Sequence, residues 1–310
     1  MRVLVFGAGA VGALFGGCLS GPHRVLLVGR RERIDPIGRG GLFIRAVGGT
    51  RRFDPETAES PPREGDFDLA AIAVKAFDLE AALPALSAGG LRIRRILLLQ
   101  NGLGNESLLR DSFPPESIYR GLLYHGASWE GPGRLLWHRG APLRIGRPLV
   151  GAPSGGDPET EELARALTAG DWETLPAKDI RREIWRKLIV NAAINPLGAI
   201  TGLPNGELIR TPALRHLLGA LVEEGERTAL AAAGYRFDLN AATMEAARQT
   251  AENRNSMLLD LERGRRTEIE FLCGALLRAA REKGIPTPAQ EAVYGLVKAM
   301  EGEREGLPEP

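Results

Sequence analysis

Residues 3–12 read Val3-Leu4-Val5-Phe6-Gly7-Ala8-Gly9-Ala10-Val11-Gly12, an apolar β-prone run that passes straight into G-x-G-x-x-G. Each glycine answers a separate steric demand. Gly7 permits a tight turn, Gly9 lets backbone approach a bound pyrophosphate, and Gly12 lets a helix pack closely on the strand. Ala8, Ala10 and Val11 complete the turn, and helix-compatible sequence runs on from Ala10 to Ser20. The first N–H groups of such a helix lack intrahelical partners and suit phosphate oxygens. Alone, the spacing also fits a glycine turn that binds nothing. Its place between a strand and a helix points to a dinucleotide site.

Working outward, Arg24 to Val28 is a second strand and is followed by Gly29-Arg30-Arg31. A site for NAD usually carries an acid at the end of this strand to hold the ribose 2′-hydroxyl. Here Glu32 comes only later, and two guanidiniums suit a 2′-phosphate. The expected cofactor is therefore NADPH/NADP+, with a solvated basic turn as the plainer alternative. Gly41 to Val47 and Thr50 to Phe53 read as a hairpin, and Asp54 to Asp66 as loop or edge structure. Leu69 to Val74 and Ile96 to Gln100 are continuous apolar strands, with a helix over Phe77 to Leu86 between them. Apolar strands separated by helices imply a parallel sheet covered on both faces. Tyr119 to Arg147 suggests more strands at the far edge, Gly151 to Asp157 a loop, Pro158 to Ala169 a helix and Trp172 to Leu175 a short strand.

After about residue 176 helical periodicity takes over, in Asp179 to Ala193, Pro212 to Gly234, Leu239 to Leu261, Thr267 to Lys283 and Pro288 to Glu301. The expected architecture is α/β followed by all-α. A Rossmann-type doubly wound sheet spans 1–176, and a helical substrate and catalytic domain spans 177–310. The tail from Glu303 reads as frayed.

Composition narrows the function. The 310 residues suggest about two domains at roughly 150 residues each. A net charge of +1 argues against a nucleic-acid binder or a polybasic membrane protein. Val3 to Leu19 is apolar enough to pass for a signal peptide, but its glycines make a poor continuous apolar helix, and no run of membrane length follows. Cys18 and Cys273 form no C-x-x-C pattern and fit a reducing cytoplasm. The four histidines show no ligand spacing, so no metal site is expected. Only five basic residues are lysine, namely Lys75, Lys178, Lys187, Lys283 and Lys298. Arginine does not readily give up a proton near neutral pH and lysine does.

One of those lysines sits in Ile184-Trp185-Arg186-Lys187-Leu188-Ile189-Val190-Asn191-Ala192-Ala193-Ile194-Asn195-Pro196. Lys187, Asn191 and Asn195 fall at i, i+4 and i+8 and share one helix face. Polar groups on an apolar helix need partners, either across a helix interface or in a site. Asn253 and Ser256 stand at i, i+3 on what reads as a second helix. Glu268 falls in the first turn of a third, where an acid also simply complements the helix dipole.

Across essentially its whole length the sequence resembles the ketopantoate reductase (2-dehydropantoate 2-reductase) family. The resemblance rests on GAGAVG at 7–12, AVKAFD at 73–78 and QNGLGN at 100–105, then on 184–202, PNGEL at 204–208, AENRNSM at 251–257 and RRTEIEFLCG at 265–274. It implies NADPH-dependent reduction of the 2-dehydropantoate ketone to (R)-pantoate, a step towards pantothenate and coenzyme A. It further implies that Lys187 is the general acid, that Glu268 contacts the substrate's hydroxyl end, and that Asn101 contacts the nicotinamide ribose and the substrate region. Lys75 then lies near the cofactor, Arg30 meets the 2′-phosphate, Ser256 meets the substrate carboxylate, and Asn191, Asn195 and Asn253 line the pocket. That pocket is expected between the domains, at the C-terminal ends of the strands.

Two other readings stay open: a reductase of another 2-oxo acid on the same fold, and an NADP-sensing protein without turnover. Lys75 also suits a solvated strand end, and Asn101 before Gly102 suits simple turn chemistry. His125 and Trp185 suit packing better than a direct role. Leu214 to Leu230 and Leu272 to Ala280 suit either a homodimer surface or a helical core.

Overall fold

A computed structural model describes residues 1–87, 89–150 and 156–302. The stretch 151–155 of the expected Gly151 to Asp157 loop and the tail from Glu303 lie outside the described residues. The chain divides into two compact units. One comprises Met1–Gln100 with Gly104–Arg181, and the other comprises Asn101–Leu103 with the chain from Arg182.

The first unit begins with β1 (Arg2–Phe6), α1 (Ala10–Leu19), β2 (Arg24–Val28) and α2 (Arg31–Gly40). There follow β3 (Leu42–Ala46), β4 (Gly49–Phe53), β5 (Glu56–Ala58), β6 (Glu64–Phe67) and β7 (Leu69–Ile72). After α3 (Leu79–Ser87) come β8 (Gly90–Ile93), β9 (Ile96–Leu98), β10 (Ile118–Leu122), β11 (Gly126–Gly131), β12 (Arg134–His138) and β13 (Leu143–Gly146). The unit ends with α4 (Pro158–Leu167) and β14 (Thr174–Pro176). Its main sheet has eight strands in the order β14-β13-β10-β9-β7-β1-β2-β5, and every neighbouring pair is parallel except β10 with β13. The strand order reverses at β1, the point at which open α/β sheets form a crevice at their carboxyl ends.

Alternation along β1 decides which helix covers which face. Val3 and Val5 join the cluster around α1, and Leu4 joins the one around α3. Gly12 to Leu19 are all buried, because α1 has the main sheet on one side and a second sheet, β11-β12-β3-β4, on the other. The apolar run that mimicked a signal peptide is thus β1 with a two-sided core helix. The expected strands between Tyr119 and Arg147 are present, but only β10 and β13 extend the main sheet. The other two pair with the β3–β4 hairpin, β12 running parallel to β3. Helix α2 and the β6–β8 pair are additions to the sequence expectation.

The second unit is helical. Its elements are α5 (Ile180–Thr201, the last two residues of the first unit included), α6 (Asn205–Arg210), α7 (Pro212–Ala233), α8 (Asn240–Gln249), α9 (Ser256–Glu262), α10 (Ala275–Glu282) and α11 (Pro288–Gly302). A π-turn over Glu270–Gly274 leads into α10. The expected single helix over Leu239 to Leu261 is two, because Asn255 caps α9 by accepting from the Leu258 amide at 3.1 Å. The expected helix from Thr267 begins only at the π-turn. Leu218, Leu221, Val222, Leu272 and Leu276 are buried in this unit's core, together with Leu188 and Ile189 of α5. Among the described residues no helix is long and apolar enough to cross a membrane.

Within α5, Pro196 has no N–H, so the Ala192 carbonyl four residues earlier loses its helical donor. The Cys273 thiol lies 3.5 Å from that oxygen and donates to it from the π-turn. A double-mutant cycle in urea tests this link. Pro196→Ala restores the helical donor, so Cys273→Ala is expected to cost about 0.5 kcal/mol less in that background than in the native chain.

Candidate active site

The glycine turn is built by close approach. Gly7 has φ +117°, and its N–H donates to the Val28 carbonyl at 2.9 Å. A Cβ on Gly7 would lie 2.6 Å from the Val74 amide nitrogen, and one on Gly12 would lie 2.0 Å from the Gly7 oxygen. Gly9 differs: nothing stands within 4 Å of where its Cβ would be. It is the N-cap of α1, no side chain caps that helix, and no acid occupies its first turn. Ala10, Val11 and Gly12 thus supply the first-turn amides, and the room above Gly9 fits the pyrophosphate of a dinucleotide. Ala8 is buried against Gly29, where an added Cβ would come within 2.4 Å of the Ala8 Cβ.

Arg30 follows Gly29 and is the N-cap of α2. Its side chain is 81% exposed and its Nε lies 3.5 Å from Glu32. Arg31 pairs with Glu59 at 2.7 Å. Exposed pairs of this kind contribute roughly 0–1 kcal/mol, so neither guanidinium is held firmly by its acid. Lys75 is half-buried just beyond β7, the parallel neighbour of β1, and opens a 3₁₀ turn over Ala76–Asp78.

In the second unit, Asn101 and Glu268 meet although 167 residues separate them. Asn101 Nδ2 donates to Glu268 Oε2 at 3.4 Å, and Glu268 is buried. The contact depends on Gly102, whose φ is +94° and whose Cβ would fall 2.4 Å from the Phe271 carbonyl. Leu103 N–H donates to that same carbonyl at 3.3 Å. Lys187, Asn191 and Asn195 all lie on α5. The first two are half-buried and Asn195 is buried.

The structure separates one expected pair. Asn253 lies in the α8–α9 connection, where its carbonyl accepts from the Asn205 amide at 3.0 Å, and only Ser256 is helical, exposed at the start of α9. Two residues missed in the sequence position this connection. Asn205 Nδ2 donates to Thr250 Oγ1 at 2.9 Å, and Asn255 Nδ2 reaches Asn205 Oδ1 at 3.5 Å. Asn followed by an apolar helical run is an N-cap signature that would have marked Asn255. Trp185 is core. His125 packs against Trp137 and Trp172, with ring centroids 5.4 and 4.8 Å away. Its Nδ1 accepts from the Gly140 amide at 2.9 Å, and burial, with Arg139 adding to it, pushes its pKa down to about 4.

A sheet reversing at β1 and an uncapped glycine turn define a protein with a dinucleotide-binding fold, joined in one chain to an all-α unit with a polar helix face. Residues 3–148 match the family model described as Ketopantoate reductase PanE/ApbA, and residues 179–301 match its C-terminal counterpart. The chain belongs to the ketopantoate reductase family. It is 34% identical over 301 residues to the 2-dehydropantoate 2-reductase of Archaeoglobus fulgidus, covering 97% of this chain and 98% of that one. The crystal structure of a PanE/ApbA family ketopantoate reductase from Ralstonia eutropha superposes with a TM-score of 0.86 at 30% identity, covering 99% of this chain and all of that one. D-mandelate dehydrogenase in its ternary structure with NADH and anilino(oxo)acetate gives 0.89 at 25% identity, again over 99% of this chain and all of that one.

Gly9→Ala should leave stability within about 0.5 kcal/mol while weakening dinucleotide binding about tenfold or more; Gly12→Ala should lose on the order of 3 kcal/mol, by denaturant unfolding and cofactor titration. His125 is held neutral in the fold, whereas the unfolded chain takes up a proton near 6.5. Stability should therefore fall as the pH drops from 6.5 towards about 4, and His125→Gln should flatten that limb of the melting-temperature profile.

Proposed function

We propose that this chain is an NADPH-dependent 2-dehydropantoate 2-reductase that makes (R)-pantoate for pantothenate and coenzyme A synthesis. The observation that carries the reading is the buried Glu268 carboxylate hydrogen-bonded to Asn101, three residues past the end of strand β9, in a chain matched over both family models. When bound, the reduced nicotinamide supplies a hydride to the ketone carbon. Negative charge then grows on the ketone oxygen, and Lys187 donates the proton that quenches it. Asn101 and Glu268 hold the nicotinamide ribose and the substrate's hydroxyl end. Ser256, Asn191, Asn195 and Asn253 receive the carboxylate through O–H and N–H donors without surplus charge. Gly7 to Gly12 cradle the pyrophosphate, Lys75 lies near the cofactor, and Arg30 takes the 2′-phosphate. Both cysteines are free and buried, which supports work in a reducing cytoplasm.

A second reading is supported by the likeness to D-mandelate dehydrogenase with NADH: the same machinery on another 2-oxo acid. Oxidation of NADPH or NADH, followed with ketopantoate, pyruvate, 2-oxoisovalerate and oxaloacetate, separates the two. Turnover confined to ketopantoate with NADPH is expected, and faster turnover of another acid replaces the substrate. Lys187→Ala should bind NADPH nearly normally and lose on the order of 10²-fold in kcat. Arg30→Ala should raise KM for NADPH by about tenfold and leave that for NADH unchanged.

A further inference from the structure

We propose that the first unit carries a second small-molecule site, at the end of α1 remote from the glycine turn, that takes a singly charged aromatic carboxylate. A cavity of about 500 Å³ opens there, bounded by the last turn of α1 at Cys18, the β3–β4 hairpin, β12 and residues 169–172. That volume is in the range of small-ligand sites, roughly 300–1,000 Å³. Cys18 lies nine residues beyond Gly9, roughly 13 Å along the helix at 1.5 Å per residue. The cavity is therefore distinct from the dinucleotide turn.

Its walls divide by chemistry. Ile44, Trp137 and Trp172 lie almost wholly buried beneath it, and the half-buried Phe53 and Ala46 give it an accessible apolar wall. The rim carries Arg51, Arg139 and Asp171. Arg51 Nη2 lies 3.1 Å from Asp171 Oδ2, and Arg139 pairs with the same oxygen. Two guanidiniums thus share one carboxylate oxygen, which leaves a surplus positive charge and unused N–H donors on each fork. All three side chains remain open to solvent, at 64%, 40% and 34%. Arg139 also lies over the Trp137 ring, 4.8 Å from its centroid. Val47 stands 92% exposed at the hairpin tip, an apolar side chain at the mouth.

A guanidinium fork beside an accessible phenyl ring recognises a carboxylate attached to a flat ring. The carboxylate takes the paired N–H donors and the ring packs against Phe53. One surplus positive charge matches a monoanion. The Cys18 thiol in the wall is neutral, pushed up to about 12 chiefly by burial, so it adds no competing charge.

Calorimetric titration of the full chain, with and without NADPH, tests this with 1-naphthoate, 1-naphthylmethanol and acetate as probes. The expected result is one 1-naphthoate site that persists with NADPH, with the alcohol and acetate each binding about tenfold more weakly. Arg51→Gln combined with Arg139→Gln should weaken 1-naphthoate about tenfold. Val47→Glu sits at an exposed position where folding is not at risk, and it should weaken the same probe by charge repulsion. Lys187→Ala should leave this binding unchanged whatever the substrate of the enzyme. No binding, equal binding of the alcohol, loss of the site in Lys187→Ala, or indifference to both rim variants overturns the proposal.

Discussion

The Gly7 carbonyl oxygen occupies the space that a side chain on residue 12 would need, 2.0 Å away. That approach sets the start of α1 against the carboxyl end of β1, inside the main sheet, and the rest of the first unit is arranged around it. The helix is thinned on both sides. A Cβ on Gly16 would touch Val5 at 3.4 Å in the main sheet, and one on Gly17 would sit 2.8 Å from Leu42 and Ile44 in the second. Glycine inside a helix costs roughly 1 kcal/mol per residue relative to alanine. The cost is offset because α1 is buried between two sheets, where apolar contact on both faces replaces intrinsic propensity. A helix held this firmly keeps its uncapped N-terminal amides fixed at the reversal of strand order.

Legibility followed the range of the physical cause. β1, α1, β2, β7, β9 and the β3–β4 hairpin were readable because local periodicity or turn chemistry specifies each. Helix α2 was not, because Arg31 to Gly40 is rich in charge, glycine and proline and buries only Ile34 and Ile37. The partners of β11 and β12 were not, because pairing β12 with β3 joins residues some ninety positions apart and leaves no local trace. The break before α9 was hidden by apolar residues that continue at helical spacing on both sides of an asparagine cap. For the candidate site, the glycine turn and the α5 face could be read directly from spacing. The meeting of Asn101 with Glu268, and the Asn205–Asn255 contact, are tertiary facts.

The support beneath Glu268 shows what a buried carboxylate in such a unit requires. Its backbone oxygen accepts from the amides of Phe271 and Leu272, at 3.0 and 3.1 Å. The preceding Thr267 is buried, and its N–H donates to Glu301 on α11 at 2.6 Å, while its hydroxyl accepts from the Ile269 amide at 3.1 Å. Burial opposes charge on Glu301, but hydrogen bonds from Lys298 and Thr267 outweigh it and hold that carboxyl below the usual range. It therefore stays an acceptor at neutral pH. Two residues on, Glu270 accepts from the Tyr294 hydroxyl at 2.6 Å and pairs with Arg278. Gly274 makes room for this, since a Cβ there would meet the Glu270 carboxylate at 2.9 Å. The segment is thus fixed at Thr267 and again at Glu270, with Glu268 between the two anchors. In a chain that uses arginine for nearly every positive charge, Lys298 is spent on this anchor, one step of backbone away from the acid that the proposed reaction needs.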